Sequence, residues 1–382
     1  MRETRVLANT ALTDNRLHRE AMCDLVASQE AIAFVGAGMS AALNYPSWDT
    51  LLKCLNNEAQ QIAEFAPEHI TPDVDPLGFA EALYRHFEGH NKLEQFRNFL
   101  GRQYSPKTEG CSESHRSLVK LPFKALVTSN YDTCLEQALL DDDMACHRRP
   151  RTDQCVIIKG ASTDRHVIGN FLRSIDDRSS DRTRRVAHIH GVYSDTENII
   201  LTASEYARAY GFSLNGGRVG NRLPDWPFHR RFAWSLLATR RLIFFGSSLD
   251  DPYLRAMLDA VTGDLWEWDQ PIHFAVVPLN EQSVRSVETD LATFRRYNLQ
   301  LVFYDNIDGS YRGLDKLIEE AGERLSGSEQ LLRHTTAPAD LIHEVTPKED
   351  TTGPPADEEP KEPDLDWLER LNTQADADLQ NP

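Results

Sequence analysis

Paired cysteines are missing from this chain of 382 residues. Its six, Cys23, Cys54, Cys111, Cys134, Cys146 and Cys155, are scattered, and none forms a C-x-x-C pair. That spacing argues against a zinc site and a dithiol redox pair, so no metal and six reduced thiols are expected. Long apolar runs are missing as well: none reaches the ~18 residues a membrane helix needs. The start, MRETRVLANTALTDNRL, lacks the apolar stretch of a secretory signal, so a cytoplasmic protein without membrane contact is expected. Positive charge is scarce, with a formal net charge of −18. From Ala337 to Pro382 the chain carries 13 acidic and 3 basic residues, and the preceding 336 residues hold the other −8. An acidic body does not grip a phosphate backbone unaided, so no direct nucleic-acid binding is expected. The one basic stretch, Arg173 to Arg185, interleaves its arginines with Asp176, Asp177 and Asp181 and reads as a solvated loop. A third glycine is absent from the turn at Gly36 and Gly38, where position 41 is Ala41, so a full dinucleotide fingerprint is not present.

What is present is a series of short apolar runs that end in polar or glycine residues. Ala31–Val35 runs into Gly36, Ala37, Gly38 and Ser40, which reads as a buried strand entering a tight turn. Glycines there leave room for a phosphate near the backbone, and a helix starting next would turn its N–H groups toward it. FKALVT ends in Ser129-Asn130-Tyr131-Asp132, Val186–Ile189 ends in His190-Gly191, and LIFF ends in Gly246-Ser247-Ser248. IHFAVV and LVFY are further strands, Cys155–Ile158 is another, and IILTASEYARAY reads as a short strand followed by a helix capped by Thr202 or Ser204. Asp251 with Pro252 starts a further helix. Residues 50–120 read as a helical insert between the first two main strands, with Phe79, Leu83 and Phe87 recurring every four residues. Strands alternating with helices predict an α/β fold: a Rossmann-like parallel sheet with helices on both faces, in a domain covering 1–330. Residues 337–382 form an acidic tail of disordered composition, with a possible docking helix at 364–374 around Trp367, Leu368 and Leu371.

In an open parallel sheet, ligands sit beyond the carboxyl ends of the strands. The four turns at Gly36–Ser40, Ser129–Asp132, His190-Gly191 and Gly246–Ser248 should therefore meet along one edge. Two glycine-hydroxyl turns suit phosphate and ribose, and an amide, a carboxylate and an imidazole stand between them. His188 is two residues from His190 on the same face of a strand, but only His190 reaches the strand end. His188 is read as structural and His190 as functional. Trp48 and Tyr131 read as core aromatics, and Tyr206 with Tyr210 as one packed helix face.

In this order FVGAGMS, YPSW, TSNYD, IHG and FFGSSLDDP resemble the sirtuin-like superfamily of NAD-binding proteins, and most of all its bacterial antiphage NADases. LTASEYARAY and RYNLQLVFYD share the likeness, which runs from about Ser28 to Leu325. The resemblance implies that Gly36, Ala37, Gly38 and Ser40 cradle the NAD pyrophosphate. It implies that Asn130 and His190 are catalytic, that Asp132 holds the nicotinamide carboxamide, and that Gly246, Ser247 and Ser248 form a second ribose-phosphate turn. Two departures from the deacylases of the family, the missing cysteine pairs and Ser129 in place of their glutamine, favour hydrolysis over deacylation. The implied activity is cleavage of NAD, as substrate, to nicotinamide and ADP-ribose by an NAD-depleting antiphage effector. The implied setting is a homo-oligomer partnered by a DNA-translocating ATPase of the HerA type. The alternative is a non-catalytic module that binds NAD or ADP-ribose as a scaffold or sensor.

Overall fold

A computed structural model describes residues 2–67, 70–146, 155–158, 165–175, 185–211, 226–247, 249, 251–265 and 272–335. Seven strands form one sheet: β1 (Ala31–Val35), β2 (Leu126–Thr128), β3 (Cys155–Ile157), β4 (Val186–His188), β5 (Arg241–Phe245), β6 (His273–Leu279) and β7 (Leu299–Asp305). Their order is β3-β4-β2-β1-β5-β6-β7, and every pairing is parallel. The order reverses direction at β1, which lies between β2 and β5, so the crevice of a doubly wound sheet opens beside its carboxyl end.

The strands are mostly apolar because both faces are covered. Along β1, Ala31, Ala33 and Val35 enter one core while Ile32 and Phe34 enter the other. β5 alternates in the same way, Ile243 and Phe245 against Leu242 and Phe244. The first core is closed by α2 (Arg16–Ala27), α3 (Trp48–Ile62), α4 (Pro76–Gly89), α5 (Leu93–Tyr104), α6 (Glu113–Lys120), α7 (Cys134–Ala145) and α13 (Arg312–Thr335). The second is closed by α8 (Arg165–Ser174), α9 (Ala203–Tyr210), α10 (Phe228–Thr239), α11 (Pro252–Asp264) and α12 (Val287–Arg295), with α1 (Arg2–Asp14) contributing Ala8. In α3, Leu51, Leu52 and Leu55 are fully buried, each contributing about 2 kcal/mol of apolar transfer. Ser47 accepts from the Thr50 N–H to cap α3, and Asp75 accepts from the Gly78 N–H to cap α4 ahead of Pro76.

Several expectations need correction. No strand forms at Ile199–Leu201: the backbone is extended there, but only the Ile200 N–H reaches the His190 carbonyl, at 3.0 Å. Residues 141–185, whose polar composition predicts irregular structure apart from Cys155–Ile158, contain α8, whose Phe171 is fully buried. The last helix, which YRGLDKLIEEAGERL predicts to close the domain near Leu325, runs on to Thr335. The compact unit spans Met1–Thr335, and the acidic tail with its 364–374 segment lies outside the described residues. Among the described residues no helix is long and apolar enough to cross a membrane.

Candidate functional site

Two turns meet backbone to backbone at the switch point. The Gly36 N–H donates to the Phe245 carbonyl at 2.9 Å, and the Gly38 N–H to the Gly246 carbonyl at 2.8 Å. A Cβ on Gly36 would stand 2.7 Å from the Cα of Ser247, and one on Gly246 only 2.4 Å from the Met39 nitrogen. Gly246 also has φ +62°, a conformation that favours glycine. These glycines are thus required first for the β1 turn to lie against the β5 turn. No α-helix follows directly: two short 3-10 turns, Ala37–Met39 and Ala41–Leu43, carry the chain to α3.

The β2 end is built from side chains. The Thr128 hydroxyl donates to the Val35 carbonyl at 2.8 Å and accepts from the Asn130 N–H at 3.0 Å, tying the turn to β1. Asn130 is 8% exposed, and its amide nitrogen donates to the Ser40 hydroxyl at 3.3 Å. Asp132 accepts from the Cys134 N–H at 3.0 Å, at the start of α7. Behind the turn, His188 is fully buried, with Nδ1 3.0 Å from the Asn130 carbonyl and Nε2 2.6 Å from Glu136 Oε1. It supports the loop, which agrees with its structural reading.

His190 stands at the end of β4 and is 3% exposed. Its Nε2 lies 2.9 Å from the Tyr210 hydroxyl and its Nδ1 3.3 Å from the Tyr206 hydroxyl. The Tyr206 hydroxyl donates to Asp251 Oδ2 at 3.2 Å. Asp251 Oδ1 meanwhile accepts from the Tyr253 and Leu254 N–H groups as the N-cap of α11. Burial pushes the imidazole below its ordinary range, while the nearby Asp251 pulls the other way. Burial, reinforced by Asp251, keeps both tyrosines protonated well beyond the ordinary phenol range.

Two cavities join along this edge. The inner one, about 250 Å³, is lined by Ser40, Asn130, Asp132 and His190 together with Tyr45, Tyr104 and other aromatic side chains. The outer one, about 500 Å³, is lined by Gly36, Gly38, Gly246 and Ser247 and extends past Val276 and Tyr304 at the ends of β6 and β7. Ala37, Trp48, Ser129, His190 and Asp251 line both. The described site residues, Gly36, Ala37, Gly38, Ser40, Asn130, Asp132, His190, Gly246 and Ser247, therefore all face this pair of cavities, while Ser248 lies outside the described residues. Trp48 faces the cavities besides packing on the core, so the purely structural reading of it was too narrow. Sequence reasoning missed Tyr206, Tyr210 and Asp251 as neighbours of His190. Their only sequence signals were the i, i+4 tyrosine pair and a helix cap. Among the described residues no group of three His, Cys, Asp or Glu side chains is placed to hold a metal ion.

The sequence also has likenesses among known proteins. Residues 124–302 match the family model described as SIR2-like domain. Over 340 residues it is 21% identical to a protein named NAD(+) hydrolase ThsA from Bacillus cereus (strain MSX-D12), covering 84% of this chain and 62% of that one. Proteins of the same name from Acinetobacter baumannii (strain 532279) and Enterococcus faecium are 22% and 23% identical, over 76% and 75% of this chain and 52% and 51% of theirs. The chain thus spans between half and two thirds of the length of these curated relatives. The SIR2-like match takes in the turns at Asn130, His190 and Gly246 but not the β1 turn.

Proposed function

We propose that this chain hydrolyses NAD, releasing nicotinamide and ADP-ribose. One observation carries the reading: Asn130 and His190 line the same inner cavity, and that cavity opens into a larger one walled by the two glycine turns. The inner space suits a flat aromatic ring with a carboxamide near Asp132. The outer space suits the pyrophosphate and adenosine. The name shared by the three relatives supports the same substrate.

The chemistry follows from the leaving group. Nicotinamide departs from C1′ with the electron pair of the C–N bond and becomes neutral, so no general acid is needed. The ribosyl centre passes through an oxocarbenium-like state, as in glycoside cleavage. Asn130 orients water toward C1′, a proximity effect. The new C–O bond forms as the water proton passes to the neutral imidazole of His190, or reaches it through a ribose hydroxyl. Burial favours the neutral form of His190, which leaves a lone pair free to accept, and the nearby Asp251 favours the charged form that follows.

The proposed setting is a cytoplasmic NAD-depleting effector in antiphage defence, homo-oligomeric and partnered by a DNA-translocating ATPase. The resemblance of the sequence motifs is what supports that setting. A second reading, binding without turnover, draws on the fact that tyrosine hydroxyls meet both ring nitrogens of His190. Incubating the purified chain with NAD, with and without acetyl-lysine peptide, separates the readings. Nicotinamide release without peptide is expected, together with its loss in Asn130→Ala. Release that depends on peptide would indicate a deacylase, and binding without release would establish the second reading.

A further inference from the structure

The Tyr206 hydroxyl has one proton, and that proton is directed at Asp251 Oδ2, 3.2 Å away. The oxygen that Tyr206 presents to His190 Nδ1 at 3.3 Å is therefore an acceptor, and an acceptor there requires a proton on Nδ1. In a neutral imidazole the lone pair then lies on Nε2, where the Tyr210 hydroxyl, 2.9 Å away, donates into it. One direction of donation runs through the whole set, from Tyr210 to His190 to Tyr206 to Asp251. We propose that Tyr206 and Asp251 are positioning residues: the carboxylate that caps α11, acting through the Tyr206 hydroxyl, fixes the Nδ1–H form of His190 and sets its basic lone pair at Nε2.

Asp251 is suited to this because its two oxygens divide the work. Oδ1 is held by the Tyr253 and Leu254 N–H groups at 2.8 and 3.0 Å, so Oδ2 is fixed in direction by the helix itself. Tyr206 is held in turn by stacking on Tyr253, with ring centroids 4.9 Å apart. Asp251 Oδ2 lies 3.9 Å from His190 Nε2, too far for a hydrogen bond, so besides its direct charge the carboxylate reaches the ring by hydrogen bonding only through Tyr206. The ionisable groups around the ring are Asp251 and Tyr253 from α11, Tyr206 and Tyr210 from α9, His229 from α10 and Tyr131 from the β2 turn. During turnover, a substrate hydroxyl or the attacking water would take the place of Tyr210 at Nε2.

The kinetic part of this inference rests on NAD hydrolysis, whereas the tautomer itself does not. The test uses the full chain with ¹⁵N-labelled histidine, read by long-range ¹H–¹⁵N correlation, with His190→Gln assigning the resonance. The wild type should show Nδ1–H. In Tyr206→Phe the acceptor is gone, so the proton should move to Nε2 and donate to Tyr210. In Asp251→Asn the amide keeps the helix cap and turns its NH₂ toward Tyr206, reversing the chain and again giving Nε2–H. Both variants should lower kcat for NAD cleavage about 10²-fold, while KM changes less than threefold. An Nε2–H wild type, or variants that keep Nδ1–H, would overturn the assignment. A shifted tautomer with unchanged kcat would overturn the positioning role. The expected tautomers in a chain that releases no nicotinamide would uphold the assignment and overturn only the NAD reading.

Discussion

On the β1–β5 side of the crevice, the turn at Gly36–Gly38 lies against Gly246–Ser247 with backbone touching backbone. On the β2–β4 side, Asn130, Asp132 and His190 present side chains: Thr128 and, through His188, Glu136 hold the Asn130 backbone, while Tyr206 and Tyr210 hold the His190 ring. Apart from the Ser247 hydroxyl, which accepts from the Leu249 N–H, the first wall is backbone, so a substitution at its glycines acts through shape. The second has groups whose removal can leave the fold intact. Stability and chemistry should therefore separate by wall, and substitutions on the two sides should fail in different assays.

The largest effect is expected on the side-chain wall. His190→Gln should lower NAD cleavage about 10³-fold, about 4 kcal/mol at the barrier, because a general base is lost. Its thermal midpoint should stay within a few degrees of wild type, since glutamine can still meet the tyrosine hydroxyls. Unfolding in step with the loss of activity would erase the distinction between the walls.

Next comes the backbone wall. Gly246→Ala places a Cβ 2.4 Å from the Met39 nitrogen and 2.9 Å from the Gly38 carbonyl carbon, both backbone atoms, at a residue with φ +62°. A loss of about 3 kcal/mol in denaturant unfolding is expected. A variant as stable as wild type would show that the two turns can part without cost.

Acid should sharpen the comparison, because one buried histidine lies beside the side-chain wall and another at the amino ends of β5 and β6, away from both. His229, beside Tyr210, and His273, whose Nδ1 accepts from the Leu242 N–H at 3.2 Å, are both pushed down to about 4 by burial. Their folded values lie below the unfolded value of about 6.5, so between those limits the unfolded chain binds more protons. Stability is thus fully present above about pH 6.5 and is lost progressively as pH falls toward 4. At pH 5.5 the two should together cost about 2–3 kcal/mol relative to pH 7.5. His229→Gln and His273→Gln should each remove about half of that dependence, and a flat profile in the wild type would refute both assignments.

Much of this contrast was legible in the sequence, and the reasons are physical. An apolar run that stops at glycine or at Ser-Asn marks a strand end whether or not its neighbours are known, so the four turns could be placed beforehand. The Asp251-Pro252 cap and the Thr202 cap are local signals, and both occur as read. What could not be read depends on how helices pack across the sheet. Tyr206 and Tyr210 do share one helix face, stacked with centroids 6.0 Å apart, but nothing local shows that the face points at His190. The supposed strand at Ile199 failed for a related reason. Its three apolar residues are buried beside the site without any strand to pair with. The reason for the glycines was likewise tertiary, since the atoms that exclude a Cβ at Gly36 belong to residues 246 and 247.

The smallest expected effect falls where the walls touch. Ser40 follows the β1 turn, yet its hydroxyl accepts from the Asn130 amide of the opposite wall. At 3.3 Å this is a long hydrogen bond, and Ser40→Ala should cost about 1 kcal/mol. The question is which assay shows that loss. If the bond mainly holds the turns together, unfolding shifts by the full amount and cleavage is unchanged. If it orients the amide that aims water at C1′, kcat falls about fivefold with little change in KM, because the interaction is used in the transition state. The second outcome is expected, because Thr128 already ties the Asn130 backbone to β1 and leaves Ser40 only the side chain to direct. A variant with wild-type kcat and lowered stability would assign Ser40 to the backbone wall alone.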